Sequence, residues 1–386
     1  MTKSLAIITP QIGAQSETFI RRHIEDLLPG GTVVIAKTNE GPYAGHWDVD
    51  CPKLLFNQVH RLGITERALR KIPQKFRPYT AATQKATKVK QTATKQFLQE
   101  HQVQVILGEF LDLCLPWLPL ANELGIPFYT HAHGYDVSER LKSPEWRAKY
   151  QQLNQASGII TINQPSRARL IELGIAPEKI AVIHSGVNVP PQPVTRKKKE
   201  TVRCLAIGRM VGKKAPILTL DAFRRAAEQC PNLTLDYIGT GPLLPEVKQY
   251  IQAFNLGDRV TLHGGQPSEL VQKLMQEADI FLQHSMTDPD TGDEEGLPVA
   301  ILEAMANALP VVSTRHAGIP EAVAEEKTGL LAKEGDSTQM AQNIISLAQN
   351  FDARNEMGVA GWQRAKEQFS WKREKELLLK YLQLSP

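Results

Sequence analysis

EEGLPVAILEAMANALPVVSTRHAGIPE, residues 294–321, sets a loop, a helix, a strand and a further turn one after another. Glu294 and Glu295 lead into a turn at Gly296 and Leu297, and a helix starts at Pro298. Proline suits the first helical turn, because its φ is already helical and its missing N–H had no intrahelical partner. Ala300, Ile301, Leu302, Ala304, Met305 and Ala306 make the helix apolar on every side, which is the pattern of a buried helix. Glu303 interrupts it with a carboxylate. The run LPVVST that follows is continuous and β-branched, as in a strand covered on both faces.

The same grammar extends through the chain. SLAIITP, TVVIAK, VQVILGE, IPFYTHAHG, GIITIN and IAVIHSGV are apolar runs alternating with helical stretches such as SETFIRRHIEDLL, where Phe19, Ile20, His23, Ile24 and Leu27 share a face. The alternation stops at NVPPQPVTRKKKE, residues 188–200, whose prolines and basic run read as an interdomain linker. It resumes with VRCLAIGR, LTLDYIGTG, RVTLHGG, DIFLQHS, LPVVST and TGLLAK. Right-handed strand–helix–strand crossovers then give a doubly wound α/β sheet in each half. The expected organisation is a Rossmann-like domain at 1–187, the linker, a second Rossmann-like domain at 201–365, and a helical tail at 366–386. Ligands of such sheets bind at the carboxyl ends of the strands, so the expected site is the cleft between domains.

The bulk numbers agree with two domains: 386 residues, 42% apolar and 22% charged, a globular mixture. The N-terminal apolar run is too short for a secretory signal, and no run reaches the roughly 18 residues of a membrane span. Cys51, Cys114, Cys204 and Cys230 lack metal-site or redox spacing, which suits reduced thiols in a cytoplasmic protein. The net charge of +4 is uneven, and the stretch Arg61–Lys95 holds ten basic residues against the single acid Glu66. A solvated face and a surface for something anionic are both open readings.

Two places resemble anion sites, where a glycine turn precedes a helix N-terminus. One is ITPQIGAQSETF, with Gly13; the other is EEGLP, with the amides of Gly296 and Leu297. A simple turn is the plainer reading of either. IGRMVGKKAP adds Arg209 and Lys214 just after a strand, a pair suited to a diphosphate. GTGPLL, with Gly239 and Gly241, lacks the third glycine of a dinucleotide fingerprint and reads as a turn beside a nucleotide. A buried carboxylate needs donors. Ribose hydroxyls would supply them to Glu303, with Glu295 further along the same ligand; pairing with an internal lysine is the alternative.

Taken together, EEGLPVAILEAMANALPVVSTRHAGIPE, GRMVGKK, HAHGYD and VIHSGVN resemble, in order, the signature of family 4 retaining glycosyltransferases with the GT-B fold. SETFI and the acidic lead-in DPDTGDEEG look most like enzymes that assemble exopolysaccharide or colanic-acid-type repeats. The resemblance implies two Rossmann-like domains facing each other across a cleft. It implies that Arg209 and Lys214 bind the donor diphosphate, Glu303 the ribose, and Glu295 the transferred sugar. It makes His133 an active-site histidine and places Gly13 opposite the donor phosphates. The implied chemistry is retention, in which the leaving diphosphate helps deprotonate the acceptor; a covalent route through Glu295 stays formally open.

Asp288 and Asp290 superficially offer a metal pair, but an Asp, Gly and Pro-rich loop is a solvent turn, and the expectation is metal-independent transfer with no cofactor. The donor implied by the resemblance is a nucleotide-diphosphate sugar, UDP-linked in preference to GDP-mannose. The implied acceptor is a saccharide or lipid-linked saccharide, and no nucleic acid partner is implied. Alternatives are transfer to a small soluble acceptor, as in sucrose- or trehalose-phosphate synthesis, and a non-catalytic two-domain sugar-binding protein. A last expectation is reversible docking on an anionic inner leaflet through Arg61–Lys95, with Lys85, Lys88 and Lys95 on one helical face.

Overall fold

A computed structural model describes residues 4–14, 17–41, 44–59 and 81–384. The first sheet comprises β1 (Leu5–Gln11), β2 (Thr32–Thr38), β3 (Lys53–Leu55), β4 (Val105–Glu109), β5 (Phe128–Ala132), β6 (Gly158–Thr161) and β7 (Ile180–Val182). The second comprises β8 (Val202–Ile207), β9 (Leu233–Ile238), β10 (Val260–Gly264), β11 (Ile280–Leu282), β12 (Val311–Thr314) and β13 (Gly329–Ala332). Their orders are β3-β2-β1-β4-β5-β6-β7 and β10-β9-β8-β11-β12-β13, and the pairings are parallel throughout. The two doubly wound sheets are the expected fold class. Each strand run read from the sequence forms a strand, because β-branched side chains with no polar alternation fit a sheet covered on both faces. Among the described residues only the edge strand β3 went unread; three residues, two half-buried and one buried, carry too little pattern.

In a doubly wound sheet the ligand crevice opens where strand order reverses. That point lies between β1 and β4 in the first sheet and between β8 and β11 in the second. The strand ends there carry Gln11, Glu109 and, just past Ile207, Arg209.

Two chain crossings join the halves, and they run side by side. Val187 N donates to Phe369 O at 2.8 Å and Trp371 N donates to Val187 O at 2.9 Å. Gly186 lies so close that a Cβ would stand 2.6 Å from Ser370 O. Beyond the second crossing, the helix Trp371–Tyr381 and the turn after it bury Leu378, Leu379, Leu382 and Leu384 in a cluster with Leu5, Ile7, Val34 and Leu107 of the first sheet. The 188–200 stretch is irregular, as its prolines require, but it is not loose. Arg196 donates to the carbonyls of Met275, Ala278, Asn307 and Ala308, filling acceptors that two helix C-termini leave open.

Candidate active site

On the second-domain side, the loop after β8 presents Arg209 exposed; its carbonyl accepts from Val211 N at 3.0 Å, and its side chain has no hydrogen-bond or ion-pair partner among the described residues. The GTGPLL turn braces this strand end: Met210 N donates to Thr240 O at 2.8 Å and Leu243 N to Met210 O at 3.0 Å. Lys214 is not free beside Arg209. Its Nζ lies 2.9 Å from Glu295 Oε2, with both side chains largely covered. Burial lowers the Lys214 pKa, and the charges of Lys213 and Arg209 add to this against Glu295. Glu295 is driven the other way, to about 2: burial would raise it, but Lys214 and Lys213 outweigh burial. The residues expected on separate parts of a donor therefore touch each other, because each is the other's best compensation for burial.

Lys213 joins them. Its Nζ lies 2.8 Å from Asp293 and 3.8 Å from Glu295 Oε1. That Glu295 oxygen is buried and accepts no hydrogen bond from the described residues. His316 accepts from Glu295 N at 3.2 Å while its Nδ1 meets Glu334 at 2.8 Å, which fixes the loop before the helix.

The helix Val299–Ala306 follows Pro298 as expected, but it is not covered all round: Val299, Ala300 and Glu303 are only partly buried. Glu303 has no protein donor among the described residues, so pairing with an internal lysine is not what the structure shows. Burial raises its pKa, with Arg22 of the first domain opposing. The N–H groups of Gly296 and Leu297 likewise have no backbone acceptor among the described residues.

On the first-domain side, His133 follows β5. Its ring is flanked by Phe19 and Phe110 at 4.6 and 4.5 Å between centroids, and its Nε2 lies 2.9 Å from Glu109 Oε2. Burial, with the nearby histidines, lowers its pKa to about 4 despite Glu109. His133 N also donates to Asp136 at 2.8 Å, pinning the HAHGYD turn. Gly13 is in the loop after β1 with φ +95°, and a Cβ there would fall on the backbone of Gly45. The close approach expected at Gly13 is thus to the chain's own 45–47 segment, and the α-helix beyond it, Thr18–Arg22, runs on as a π-helical turn over His23–Leu27. The neighbouring acid, Glu17, faces the cleft instead. Burial raises it to about 7, with Glu109 adding to burial and Gln11 and Arg209 opposing, and its Oε2 is buried with no hydrogen-bond partner among the described residues.

The domains meet along one rim. Asn163 Nδ2 donates to Gly296 O at 2.7 Å, Gln164 N to Glu321 at 2.8 Å, and Glu294 N to Ser138 at 3.1 Å, and Arg169 pairs with Glu294. A Cβ on Gly134 would stand 2.5 Å from Glu294 O. A pocket of about 430 Å³ opens beside this rim, lined by Lys142, Arg147, Arg169, Glu172 and Glu294 among others. Asp288 accepts from Asp290 N at 3.0 Å and Thr291 N at 3.1 Å, so it organises its own turn. Among the described residues, the one cluster with ligand atoms close enough for a metal is His23, Glu109 and His131.

Glu17, His23, Glu109 and Lys213 were not singled out as functional in the sequence. Glu109 had a visible signal, an acid at the carboxyl end of the apolar run VQVILGE; His23 was hidden by its apolar-face spacing.

Residues 52–189 match the family model described as Glycosyltransferase Family 4, and residues 192–364 match the one described as Glycosyl transferases group 1. The chain belongs to the family 4 glycosyltransferases. Two similar proteins are a glycosyltransferase named for colanic acid biosynthesis, WcaL of Escherichia coli (strain K12), and the amylovoran biosynthesis glycosyltransferase AmsK of Erwinia amylovora. WcaL is 35% identical over 59% of this chain and 57% of its own length, and AmsK 36% over 56% and 54%. The chain thus aligns with little more than half the length of these curated relatives. Anabaena HepE in complex with UDP shares the fold, at TM-score 0.75 and 18% identity over 100% of both chains. The glycosyltransferase has no helix, among its described residues, long and apolar enough to cross a membrane.

Proposed function

We propose that the chain is a retaining glycosyltransferase that moves a hexose from a nucleotide-diphosphate sugar to a saccharide or lipid-linked acceptor in exopolysaccharide synthesis. Membership of the family and the similarity to WcaL and AmsK support this reading. The observation that carries it is that the side chains of two residues, the carboxylate Glu303 in the helix Val299–Ala306 and the exposed cation Arg209 in the loop after β8, have no hydrogen-bond or ion-pair partner among the described residues. Glu303 meets the ribose hydroxyls. Arg209 and the amides of Gly296 and Leu297 take the diphosphate, and Lys214 joins them when the donor enters. Glu295, released from Lys214, then turns its carboxylate to the sugar.

The chemistry follows from charge. As the glycosidic bond breaks, negative charge gathers on the leaving diphosphate, where Arg209 and Lys214 stabilise it. The sugar becomes oxocarbenium-like beside Glu295, and the acceptor hydroxyl attacks from the leaving-group face while passing its proton to the diphosphate. The cations supply the positive charge, so transfer is metal-independent. UDP is the preferred donor base, in line with the UDP held by HepE; GDP-mannose is the second choice.

A donor-hydrolysis screen with UDP- and GDP-sugars in EDTA, followed by mass analysis of acceptor products, tests this. Turnover of one donor with net retention at the anomeric centre is expected. Inversion, or a strict need for added Mg²⁺ or Mn²⁺, overturns it. Docking on an anionic leaflet belongs to the same reading. Most of Arg61–Lys95 lies outside the described residues, and of the lysines expected to share a face, Lys95 pairs with Glu123 at 2.6 Å. Co-sedimentation with anionic vesicles at low and high salt decides it.

A further inference from the structure

Behind His133 lies a buried network with no part in the function proposed above. Glu109, fully buried at the end of β4, faces three histidines: His23 Nδ1 at 2.7 Å, His133 Nε2 at 2.9 Å and His131 Nδ1 at 3.4 Å. The other nitrogen of His23 lies 3.2 Å from Glu374 Oε1. The second oxygen of Glu374 accepts from Gly186 N at 2.7 Å. Arg22, one residue before His23, donates to Gly186 O, and Trp371 lies against the His23 ring at 5.9 Å. A continuous path of polar contacts therefore runs from the paired domain crossings, through Glu374, His23 and Glu109, to His133 at the cleft.

The path fixes protons as well as positions. His23 lies between two carboxylates, which only accept, so both its nitrogens must donate and the ring is an imidazolium. Its charge answers that of Glu109 in a site where an unpaired carboxylate would be costly. The His133 Nε2 also faces a carboxylate and must carry the proton there. In the neutral ring this leaves Nδ1 with a lone pair and no protein partner among the described residues.

We propose that Glu109 is a positioning residue that locks His133 in its Nε2–H tautomer and turns Nδ1 to the cleft as a hydrogen-bond acceptor for a sugar hydroxyl, with His23 and Glu374 tying that lock to the domain crossing. The role of the acceptor nitrogen rests on the transferase reading; the tautomer does not. The groups facing the network are Glu17 and Cys114 beside Glu109, His131 between Glu109 and His133, and Arg22 beside His23. Burial lowers His23, but Glu109 and Glu374 overcome it and raise it to about 9, in keeping with the imidazolium.

A metal ion is the rival occupant, since His23, Glu109 and His131 have ligand atoms within 4.8 Å and neither nitrogen of His131 has a hydrogen-bond partner among the described residues. The 2.7 Å separation of His23 Nδ1 and Glu109 Oε1 is that of a shared proton. Two tetrahedral zinc ligands at their usual bond lengths stand roughly 3.3 Å apart.

The test uses the full chain labelled with ¹⁵N-histidine. At pH 7, NMR is expected to show His133, assigned by loss of its signals in His133→Gln, as a neutral Nε2–H ring and His23 as an imidazolium. Glu109→Gln, which keeps volume but can donate, is expected to scramble the His133 tautomer. It should lower kcat on the order of 10²-fold, the scale of a misplaced group, with nucleotide-diphosphate affinity unchanged. Should Glu109→Gln fail to fold, Glu374→Gln tests the lock from the far end, with His23 titrating at lower pH and kcat falling less. An Nδ1–H His133 in the wild type overturns the proposal, as does unchanged tautomer and kcat in a folded Glu109→Gln. Stoichiometric metal in the purified protein also overturns it. If no donor is turned over, the tautomer measurement still decides the lock, while the function reading fails separately.

Discussion

Glu303 sets a partly buried carboxylate in a helix that is otherwise apolar. No protein donor among the described residues answers it, and burial raises its pKa. Glu303→Gln is expected to weaken nucleotide-diphosphate-sugar binding by about 10–100-fold, the worth of a hydrogen bond to a charged group, while leaving stability at neutral pH equal or raised. Calorimetry and thermal melts check the two halves. Glu17 behaves in the same sense with a clearer pH signature. Its folded-state pKa, about 7, lies above the ordinary value of 4.5, so the folded protein holds the extra proton between those limits and stability falls as pH rises through them. Glu17→Gln should remove that slope and stabilise the protein above pH 7 by on the order of 1–2 kcal/mol, allowing for solvent screening; urea melts at pH 5 and 8 measure it. Glu295 has the opposite sign. Held at about 2 by Lys214 and Lys213, it contributes stability that is present above pH 4.5 and lost as pH falls towards 2.

At the scale of elements, the strands were legible because a sheet covered on both faces leaves no room for polar alternation. The contacts between elements were not, since they join residues far apart in sequence. The rim where Gly134 meets the 294–296 loop is one case. Gly134 has φ −87°, so Ala is allowed there by its backbone, yet its methyl would press on Glu294 O. Gly134→Ala is expected to keep the melting temperature within a few degrees while cutting turnover by about tenfold or more, as the two loops part. A retained rate would show that the rim does not shape the site. Arg196 is the second case, a linker residue in a basic run that reads as solvated but caps two helices. Arg196→Ala should destabilise the second domain by about 2–4 kcal/mol, because several buried carbonyls lose their donor at once, whereas Lys198→Ala should do nothing measurable.

For the whole molecule, the signature motifs made the two-domain plan and the cleft readable, while the buried path from the crossings to His133 was not, because its members lie in five separate segments. A nucleotide diphosphate bound across the cleft should stabilise both halves together. At a hundredfold excess over Kd the gain is about 2.7 kcal/mol, and one melting transition should rise as a unit; two transitions, only one of them shifted, would show that the halves respond independently. The helix Trp371–Tyr381 carries a different consequence, for synthesis. It seals the face of the first sheet formed by Leu5, Ile7 and Val34, yet it begins 189 residues after β7 ends. On a ribosome adding 5–20 residues per second, that apolar face waits roughly 10–40 s for its cover. During that interval the nascent sheet is a natural client for a holdase. A ribosome-stalled chain ending near residue 368 should bind a hydrophobic dye and yield to protease, and one extended past Leu384 with a tunnel-length spacer should do neither.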